Sequence, residues 1–391
     1  MVSQTRCRAL GWVAGSWPAM TGVVMKYVRM PIEVESPEEQ GYDTIRYNLS
    51  ESSMRDRALS DLRLKLDDLV LAYGAHRGAP NLRSIIAKRS GVAELDVLTT
   101  AGAAGALFII ATTLLEKGDH LVVVRPNYAT NLETPRAIGC EISTLDLRFE
   151  DGFALDVGAL EKLLRPKTKL ISITTPHNPT GVALDEAKLN AVLALGERRG
   201  IRVLVDETYR DMSFVPKPPV AASISPNAIS VSSMSKSYGI PGIRVGWIIC
   251  RDMHLMERFL AAKEQIGICG SIIDEQIAEV ALAEAPQFLA GVDKQLRAAL
   301  AIVENWIGGE KHMEWVKPQG GCVCFPRIRA DAGIDVENFY KALAERGTLV
   351  GAGHWFEQDR RFMRIGYGWP LEAELKGGLG AIGSSLDVAK R

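Results

Sequence analysis

Short apolar runs alternate with longer helix-period segments between about residue 95 and residue 250 of this 391-residue chain. The runs are rich in valine and isoleucine, and such strands lie in sheets that are buried on both faces. Strands are predicted at 119–125, 141–147, 168–175, 201–206, 228–233 and 245–250, with helices at 156–164 and 184–199. The alternation predicts an α/β fold with a mostly parallel sheet flanked by helices.

The pattern changes after residue 251, where helices dominate. A long helix is predicted from about residue 286 to 306, and strands near 313–316, 321–326 and 362–365 surround a helix at 336–346. This part of the chain is typical of a smaller α+β domain. We expect a large α/β domain over residues 58–290, and a small domain built from residues 30–57 and 291–391.

The first thirty residues are basic and partly apolar, but glycines and Pro18 interrupt the apolar part. We therefore expect a poorly ordered extension over residues 1–29 rather than a secretory signal. The longest apolar stretch, 99–115, ends at Glu116 and Lys117 and favours a buried helix over a membrane span.

The formal net charge is −1, with 24% charged residues well mixed along the chain. Nothing in this balance predicts a nucleic-acid or membrane partner, so we expect a small-molecule substrate. The six cysteines are scattered, and their spacing matches neither a zinc site nor a redox pair. We expect free thiols in a reducing cytoplasm, and no metal.

The segment 232–246, SSMSKSYGIPGIRVG, places one lysine among hydroxyls, glycines and one arginine. The Lys236 amine can form a Schiff base with a carbonyl group. The hydroxyls of Ser233 and Ser235 can bond phosphate oxygens, and Arg244 can pair with a phosphate through two parallel hydrogen bonds. These groups predict a site for an aldehyde cofactor that carries a phosphate, as pyridoxal 5′-phosphate (PLP) does.

Four more segments follow strand ends, where open α/β sheets bind ligands. Residues 100–106, TAGAAGA, precede a helix, and their small side chains let backbone N–H groups approach a phosphate. Tyr128 could stack on a pyridine ring, and the Asn178 amide could donate to its phenolic oxygen. Asp206 could keep the ring nitrogen protonated, which makes the ring an electron sink, while Tyr209 could bond the phenolic oxygen from the other side. Each segment alone also fits an ordinary turn or helix start, but together they indicate a PLP site.

With N-P-T-G at 178–181, D-E-T-Y at 206–209 and S-x-S-K-x-x-x-x-P-G-x-R-x-G at 233–246, the chain resembles the class I and II aminotransferase family. The match covers about residues 48 to 365. The resemblance implies the fold of type I PLP enzymes, with a seven-stranded sheet, and PLP as cofactor. It implies Lys236 as the Schiff-base lysine, Asp206 as the pyridinium partner, Asn178 and Tyr209 as the phenolate partners, Tyr128 as the stacking ring, and Ala103, Ala104, Ser233, Ser235 and Arg244 as the phosphate ligands.

Two positions outside these motifs also match the family. Tyr73, in YGAHRGAPNLR at 73–83, resembles the tyrosine that reaches the phosphate of the neighbouring subunit. This implies a homodimer with shared active sites. Arg364 resembles the arginine that clamps the substrate α-carboxylate, a role that suits a planar two-pronged donor. The alternative for Arg364 is a surface arginine on a small-domain strand.

The chain departs from the family pattern near its first predicted motif. Where the family has L-x-x-G-x-P, this chain has LSESSM at 49–54, so Ser52 replaces the glycine and Met54 replaces the proline. Glu51 and Ser52 are therefore candidates for the substrate pocket, where an acid would favour a cationic or polar substrate side chain. The alternative is a capping box in SMRD at 53–56, which would explain the hydroxyls by the start of a helix.

The implied reaction moves an amino group between an L-amino acid and a 2-oxo acid, with Lys236 moving the proton. Lysine can do this only if burial and a neighbouring positive charge depress its pKa. Lyases, cyclases and oxidases stay as alternatives because they need the same cofactor site. We do not expect a transcription regulator with an aminotransferase-like domain, because fewer than fifty residues precede Asn48 and they lack a helix-turn-helix pattern.

Overall fold

The computed structural model describes residues 25–390, so most of the predicted N-terminal extension lies outside the described residues. The strands are β1 (Tyr47–Leu49), β2 (Val97–Ala101), β3 (His120–Arg125), β4 (Glu141–Asp146), β5 (Thr168–Thr174), β6 (Arg202–Asp206), β7 (Ala228–Ser233), β8 (Val245–Cys250), β9 (Met313–Glu314), β10 (Val323–Cys324), β11 (Arg327–Ile328), β12 (Thr348–Ala352) and β13 (Met363–Gly366). The helices are α1 (Pro31–Val34), α2 (Pro37–Gln40), α3 (Pro80–Ser90), α4 (Gly102–Leu114), α5 (Thr130–Ile138), α6 (Val157–Leu163), α7 (Glu186–Arg199), α8 (Ala221–Ile224), α9 (Met253–Gly267), α10 (Ile272–Ala283), α11 (Ala285–Gly309), α12 (Val336–Glu345) and α13 (Glu372–Val388).

The larger sheet has seven strands in the order β2-β8-β7-β6-β5-β3-β4. Strands β3 to β7 run parallel to one another, whereas β8 is antiparallel to both β2 and β7. The six strands predicted between residues 119 and 250 are confirmed as β3 to β8. The predicted fold class, a mostly parallel sheet flanked by helices, is therefore confirmed.

Strand β6 shows why the centre of the sheet could be recognised. Val203, Leu204 and Val205 are each at most 3% exposed. Leu204 packs in a cluster with Ile110 of α4, while Val203 and Val205 pack on the other face with Leu189 of α7. A strand that is covered on both faces needs apolar side chains at successive positions, and that is the pattern in the sequence.

The prediction of one buried helix over residues 99–115 is wrong at its start. Thr99 to Ala101 belong to β2, which pairs with β8 and places Thr100 opposite Gly246. Helix α4 begins at Gly102, whose φ of +69° lies in the left-handed region that glycine adopts without strain. This glycine turns the chain from the strand directly into the helix, so no polar turn separates the two elements.

The smaller sheet has four strands in the order β1-β12-β13-β10, and β9 pairs with β11 beside it. Strand β1 lies parallel to β12, with Tyr47 opposite Thr348, although the whole larger sheet separates them in the sequence. The long helix α11 packs on this sheet through apolar side chains at helical spacing. Its buried residues in that core are Val292, Leu296, Leu300, Val303 and Ile307. This pairing supports a small domain made from both ends of the chain; its exact limits stay a prediction.

The carboxyl ends of β5, β6 and β7 lie at one edge of the larger sheet, because these strands are parallel neighbours. The smaller sheet faces this edge. One link between the two is direct: Nη1 of Arg364 on β13 donates to Oδ1 of Asn178, just after β5, at 3.1 Å. The edge is where ligands bind in open α/β sheets.

Candidate active site

A cavity of about 490 Å³ lies between this edge and the smaller sheet. Its size falls within the range of small-molecule sites, roughly 300–1,000 Å³. The structure brings all the predicted site residues except Tyr73 together around it. They are Glu51, Ser52, Ala103, Ala104, Tyr128, Asn178, Asp206, Tyr209, Ser233, Ser235, Lys236, Arg244 and Arg364.

Asp206 is the last residue of β6 and is 7% exposed. Its Oδ1 accepts hydrogen bonds from the backbone N–H of Thr208 at 3.0 Å and from the Thr208 hydroxyl at 2.6 Å. Burial raises the pKa of Asp206 above its ordinary value, and the Thr208 bonds and the charge of Lys236 act against that shift. Within residues 25–390 no hydrogen bond reaches Oδ2, so this oxygen is available to a donor or cation in the cavity.

Lys236 stands in the turn between β7 and β8, and its Nζ donates to Oγ of Ser52 at 3.2 Å. Burial lowers the pKa of Lys236; the negative charge of Glu51 opposes this shift and the positive charge of Arg364 adds to it. A lysine with a depressed pKa has more of its amine neutral and nucleophilic. The shift has the direction that the implied reaction requires.

Small residues and polar donors meet at the start of α4. Ala103 and Ala104 occupy the first turn of this helix, where backbone N–H groups have no partner inside the helix. A Cβ on Gly102 would lie 2.5 Å from Nη2 of Arg244, so the guanidinium occupies the space that a side chain would need. The hydroxyls of Ser233 and Ser235 line the same end of the cavity. This donor set suits a dianionic phosphate.

Strands β7 and β8 form a hairpin that carries both Lys236 and Arg244 in its connection. The hairpin pairs Ser233 with Gly246 at the base of this connection. Lys236 and Arg244 are thus held at one end of two adjacent, hydrogen-bonded strands. The sheet register thus fixes both ends of the connection that carries the amine and the guanidinium.

Arg364 lies on β13 and is 4% exposed, so the alternative of a surface arginine is wrong. Its Nη2 donates to the Ser50 carbonyl at 2.6 Å and its Nη1 to Oδ1 of Asn178 at 3.1 Å. The buried Nε has no hydrogen-bond partner among the described residues. Arg364 also lines the cavity, where a guanidinium can bind an anionic ligand such as a carboxylate.

The two predicted tyrosines differ in how they meet the cavity. Tyr209 is 4% exposed, and its hydroxyl donates to the Ser52 carbonyl at 3.0 Å. Tyr128 is half-buried, and its backbone N–H donates to Oδ1 of Asn127 at 2.7 Å. Asn178 uses its oxygen to accept from Arg364, which leaves its amide N–H groups to donate into the cavity.

Residues 50–58 form no helix, so the capping-box alternative for this segment is wrong. Instead the backbone N–H of Met54 donates to the Lys236 carbonyl at 3.0 Å, and that of Arg57 donates to the Gly239 carbonyl at 2.9 Å. The segment thus lies along the lysine turn. This position carries Glu51 and Ser52 into the cavity wall.

Tyr73 does not reach this cavity in the chain. Its side chain is 84% exposed on a loop that also exposes Val70 at 76% and Leu71 at 73%. Within one copy of the chain, these three side chains therefore neither pack in a core nor line the cavity.

Several residues of the cavity wall were missed by the sequence analysis. Side chains between Arg29 and Glu39, on and around α1 and α2, form a cover on one wall of the cavity, and Trp355 after β12 also lines it. Glu35 anchors this cover, because its carboxylate accepts from Nε1 of Trp355 at 2.6 Å and lies 3.0 Å from Nε2 of His354. Proline at the first position of both helices was the available signal.

Two kinds of site are absent from residues 25–390. No group of three or more His, Cys, Asp or Glu side chains there could hold a metal ion. No helix in the same range combines the length and apolar character needed to cross a membrane.

The sheet topology and the lysine, aspartate and arginine around one cavity define the class of fold-type I PLP enzymes. The chain also matches the family model described as "Aminotransferase class I and II" over residues 48–381. It belongs to this family. The match extends beyond the predicted range at its carboxyl end and begins at the predicted residue, Asn48.

Three known proteins illustrate the relationship. The chain is 31% identical to capreomycidine synthase from Streptomyces vinaceus over 88% of each chain. It is 29% identical to the arginine–pyruvate transaminase of Pseudomonas aeruginosa, covering 74% of this chain and 77% of that one. Among solved structures it resembles the PLP-dependent cyclase OrfR, with a TM-score of 0.83 and 25% identity over 95% of this chain and all of that one.

The cofactor of this family is PLP, and the residues present fit it. The phosphate matches the start of α4, whose first backbone N–H groups have no partner inside the helix, and the Arg244 guanidinium that packs against Gly102. The open Oδ2 of Asp206 matches a protonated ring nitrogen, and Lys236 supplies an amine within the same cavity. Arg364, the cation on the small-domain wall of the cavity, is not needed for any of these groups of the cofactor.

Proposed function

We propose that this enzyme moves an amino group between an L-amino acid and a 2-oxo acid. The observation that carries the proposal is the joint placement of Lys236, Asp206 and Arg364 around one cavity. An amine that can move a proton, a carboxylate for a ring nitrogen and a clamp for a carboxylate are the groups that such a reaction needs. The similarity to an arginine–pyruvate transaminase supports an amino acid and a 2-oxo acid as the two substrates.

Bound PLP supplies an electron sink for the charge that develops at the substrate α-carbon. We assign Lys236 both the covalent attachment of the cofactor and, once released, the transfer of the proton at that carbon. Its depressed pKa supports this role, because the neutral amine is the form that accepts a proton. Asp206 keeps the ring nitrogen protonated, and an apposed cation offsets the cost of its buried charge.

The remaining assignments concern binding and position. The backbone of Ala103 and Ala104, with Ser233, Ser235 and Arg244, holds the phosphate, as the donor set at the start of α4 supports. Tyr128 stacks on the ring, and Asn178 and Tyr209 flank its phenolic oxygen. Arg364 binds the substrate α-carboxylate, supported by the position of this buried arginine in the cavity wall. Ser52 accepts from the Lys236 amine and positions it.

We further propose a homodimer with shared active sites, in which Tyr73 reaches the phosphate site of the second copy. The exposed Val70, Leu71 and Tyr73 support this, because a large exposed apolar patch commonly marks an interface. We assign the protein to the cytoplasm, since its described cysteines are free and a reducing compartment keeps thiols in that form. Those cysteines are Cys140, Cys250, Cys269, Cys322 and Cys324.

The function is tested by spectra of the purified protein with PLP. We expect a visible absorption band that Lys236→Ala abolishes and Lys162→Ala, on the distant helix α6, retains. Addition of a panel of L-amino acids should convert the cofactor to its aminated form, and a 2-oxo acid should reverse the change. A band that persists in Lys236→Ala would overturn the lysine assignment.

The alternative is a PLP-dependent cyclase, lyase or oxidase that uses the same cavity. The similarity to the cyclase OrfR favours a cyclase among these. In that case substrate would be consumed without formation of the aminated cofactor and without need of a 2-oxo acid. Ammonia release would indicate a lyase, and oxygen uptake would indicate an oxidase.

A further inference from the structure

We propose that the substrate side chain carries a positive charge, as a guanidinium or an ammonium group, and that Glu51 selects it. The inference rests on the proposed function, because it names the class of amino acid that binds in that cavity.

The carboxylate of Glu51 faces the cavity without a cationic partner. Its Oε1 accepts from the Tyr42 hydroxyl at 2.8 Å, and within residues 25–390 it forms no ion pair. Burial raises the pKa of Glu51, and the Tyr42 bond and the charge of Lys236 act against this shift. Lys236 and Arg364 lie close enough to act on the charge of this carboxylate, but among residues 25–390 neither forms an ion pair with it.

Arg364 places a positive charge in the wall of the same cavity. It is 4% exposed, and its Nη2 donates to the carbonyl of Ser50, the residue directly before Glu51. The wall of the cavity therefore presents a donor for a carboxylate beside an acceptor for a cation. An amino acid with a cationic side chain carries both charges on one molecule.

The other glutamates of the cavity wall are less suited to this role, and Asp206 is assigned to the cofactor ring. Glu39 is paired with Arg29 at 3.2 Å, and Glu33 accepts from the backbone N–H of Met30 at 2.8 Å. Glu38 is exposed on the cover of the cavity and forms no ion pair among the described residues, so it adds a solvated negative charge there. Glu51 is the partly buried glutamate in this set that has no ion-pair partner among the described residues.

A purely structural role for Glu51 makes a different prediction. If the carboxylate only held Tyr42 and the cover of the cavity, its neutralisation would affect charged and uncharged substrates alike. Glutamine keeps an oxygen that accepts from the Tyr42 hydroxyl and removes the charge. The ratio of kcat/KM between a cationic substrate and its neutral isostere therefore measures the effect of the Glu51 charge alone.

The experiment compares kcat/KM of the holoenzyme for L-arginine with L-citrulline, and for L-lysine with L-norleucine. We expect the cationic member of at least one pair to be favoured by about 10–100-fold, the size of a hydrogen bond to a charged group. Glu51→Gln should reduce this preference by about the same factor. The control Glu39→Gln, which neutralises an acid of the same cover that already has a partner, should change the ratio by less than about 2-fold.

A binding measurement separates this inference from the proposed function. Calorimetric titration of Lys236→Ala with the same four amino acids gives their relative affinities without turnover. Preferred binding of the cationic members, lost in Glu51→Gln combined with Lys236→Ala, would support the inference even if the wild-type enzyme formed no aminated cofactor, an outcome that would overturn the proposed function alone. Equal treatment of cationic and neutral members in both assays, or a preference that survives Glu51→Gln, would overturn the inference.

Discussion

Asp206 and Glu207 are consecutive acids at the end of β6, yet their side chains serve opposite faces of the sheet, as the two-residue period of a strand requires. Asp206 lines the cofactor cavity, while Glu207 lines a separate cavity with Arg210 and Ser230. Both carboxylates are buried, at 7% and 2% exposure. One belongs to the proposed chemistry, and the other affects stability.

Burial raises the pKa of Glu207 to about 7, against the opposing charge of Arg210. The folded protein therefore holds a proton on Glu207 that the unfolded chain releases near pH 4.5. The stabilising contribution of this group is complete below that pH and is lost as the pH rises through 7. Glu207→Gln cannot lose a proton, so we expect wild type to lose up to about 3 kcal/mol of unfolding free energy relative to this variant between pH 4.5 and 8.

Denaturant unfolding of the two proteins at several pH values measures this difference. Glu161→Gln serves as the control, because its carboxylate is exposed and paired with Arg199. A difference between wild type and Glu207→Gln that stayed constant with pH would contradict the assignment.

At the scale of elements, the start of α4 depends on Gly102. An alanine there would be strained by the φ of +69° and would also contact the Arg244 guanidinium. Gly118 has a φ of +84° but has open space around its Cβ position. We expect Gly102→Ala and Gly118→Ala each to cost about 1 kcal/mol of stability. Only Gly102→Ala should weaken PLP binding, by about 10-fold or more, through displacement of Arg244.

Titration of the apoproteins with PLP, followed by absorbance, measures the expected difference in PLP affinity. Thermal unfolding of the same samples measures the loss of stability that both variants should show. Equal PLP affinity in the two variants would show that Arg244 does not act at this position.

Strands such as β3 and β6 could be predicted because each is an apolar run between polar residues. Strand β2 could not, because Thr99 and Thr100 interrupt its apolar run and Gly102 leads directly into α4. The cover helices α1 and α2 were missed because four residues are too few to show a helical period. The capping box was predicted from local sequence alone, whereas the partners of Met54 and Arg57 lie in the lysine turn nearly two hundred residues away.

Most residues of the candidate site could also be predicted from the local sequence. Its cofactor-facing residues follow strand ends, so parallel order alone brings them together. Glu51 was predicted because the sequence departs from the family pattern at that position. Its hydrogen-bond partner Tyr42 belongs to no motif, so the bond between them could be found only in the three-dimensional structure.

At the scale of the whole molecule, a shared active site requires residues of two chains. We expect Tyr73→Ala to lower PLP affinity and activity, although this side chain touches no part of its own cavity. Lys236→Ala should be inactive. When the two variants are unfolded together and refolded, mixed dimers should contain one intact site, which restores about one quarter of wild-type activity at equal amounts.

Size-exclusion chromatography with light scattering measures the oligomer in the same samples. Each variant refolded alone provides the baseline for the mixture. Activity equal to the mean of those two baselines, or a monomeric mass, would contradict the shared site.

The hairpin of β7 and β8 has a consequence for how such chains can change. Lys236 and Arg244 are eight residues apart, and the pairing of Ser233 with Gly246 closes the connection that holds them. An inserted or deleted residue in this connection would shift the guanidinium away from the amine, or slip β8 and turn its side chains to the wrong face. Residues in the strands on either side of the connection can be substituted, but the number of residues in the connection must stay the same. The seven residues between lysine and arginine are thus a molecular ruler set to the size of the cofactor.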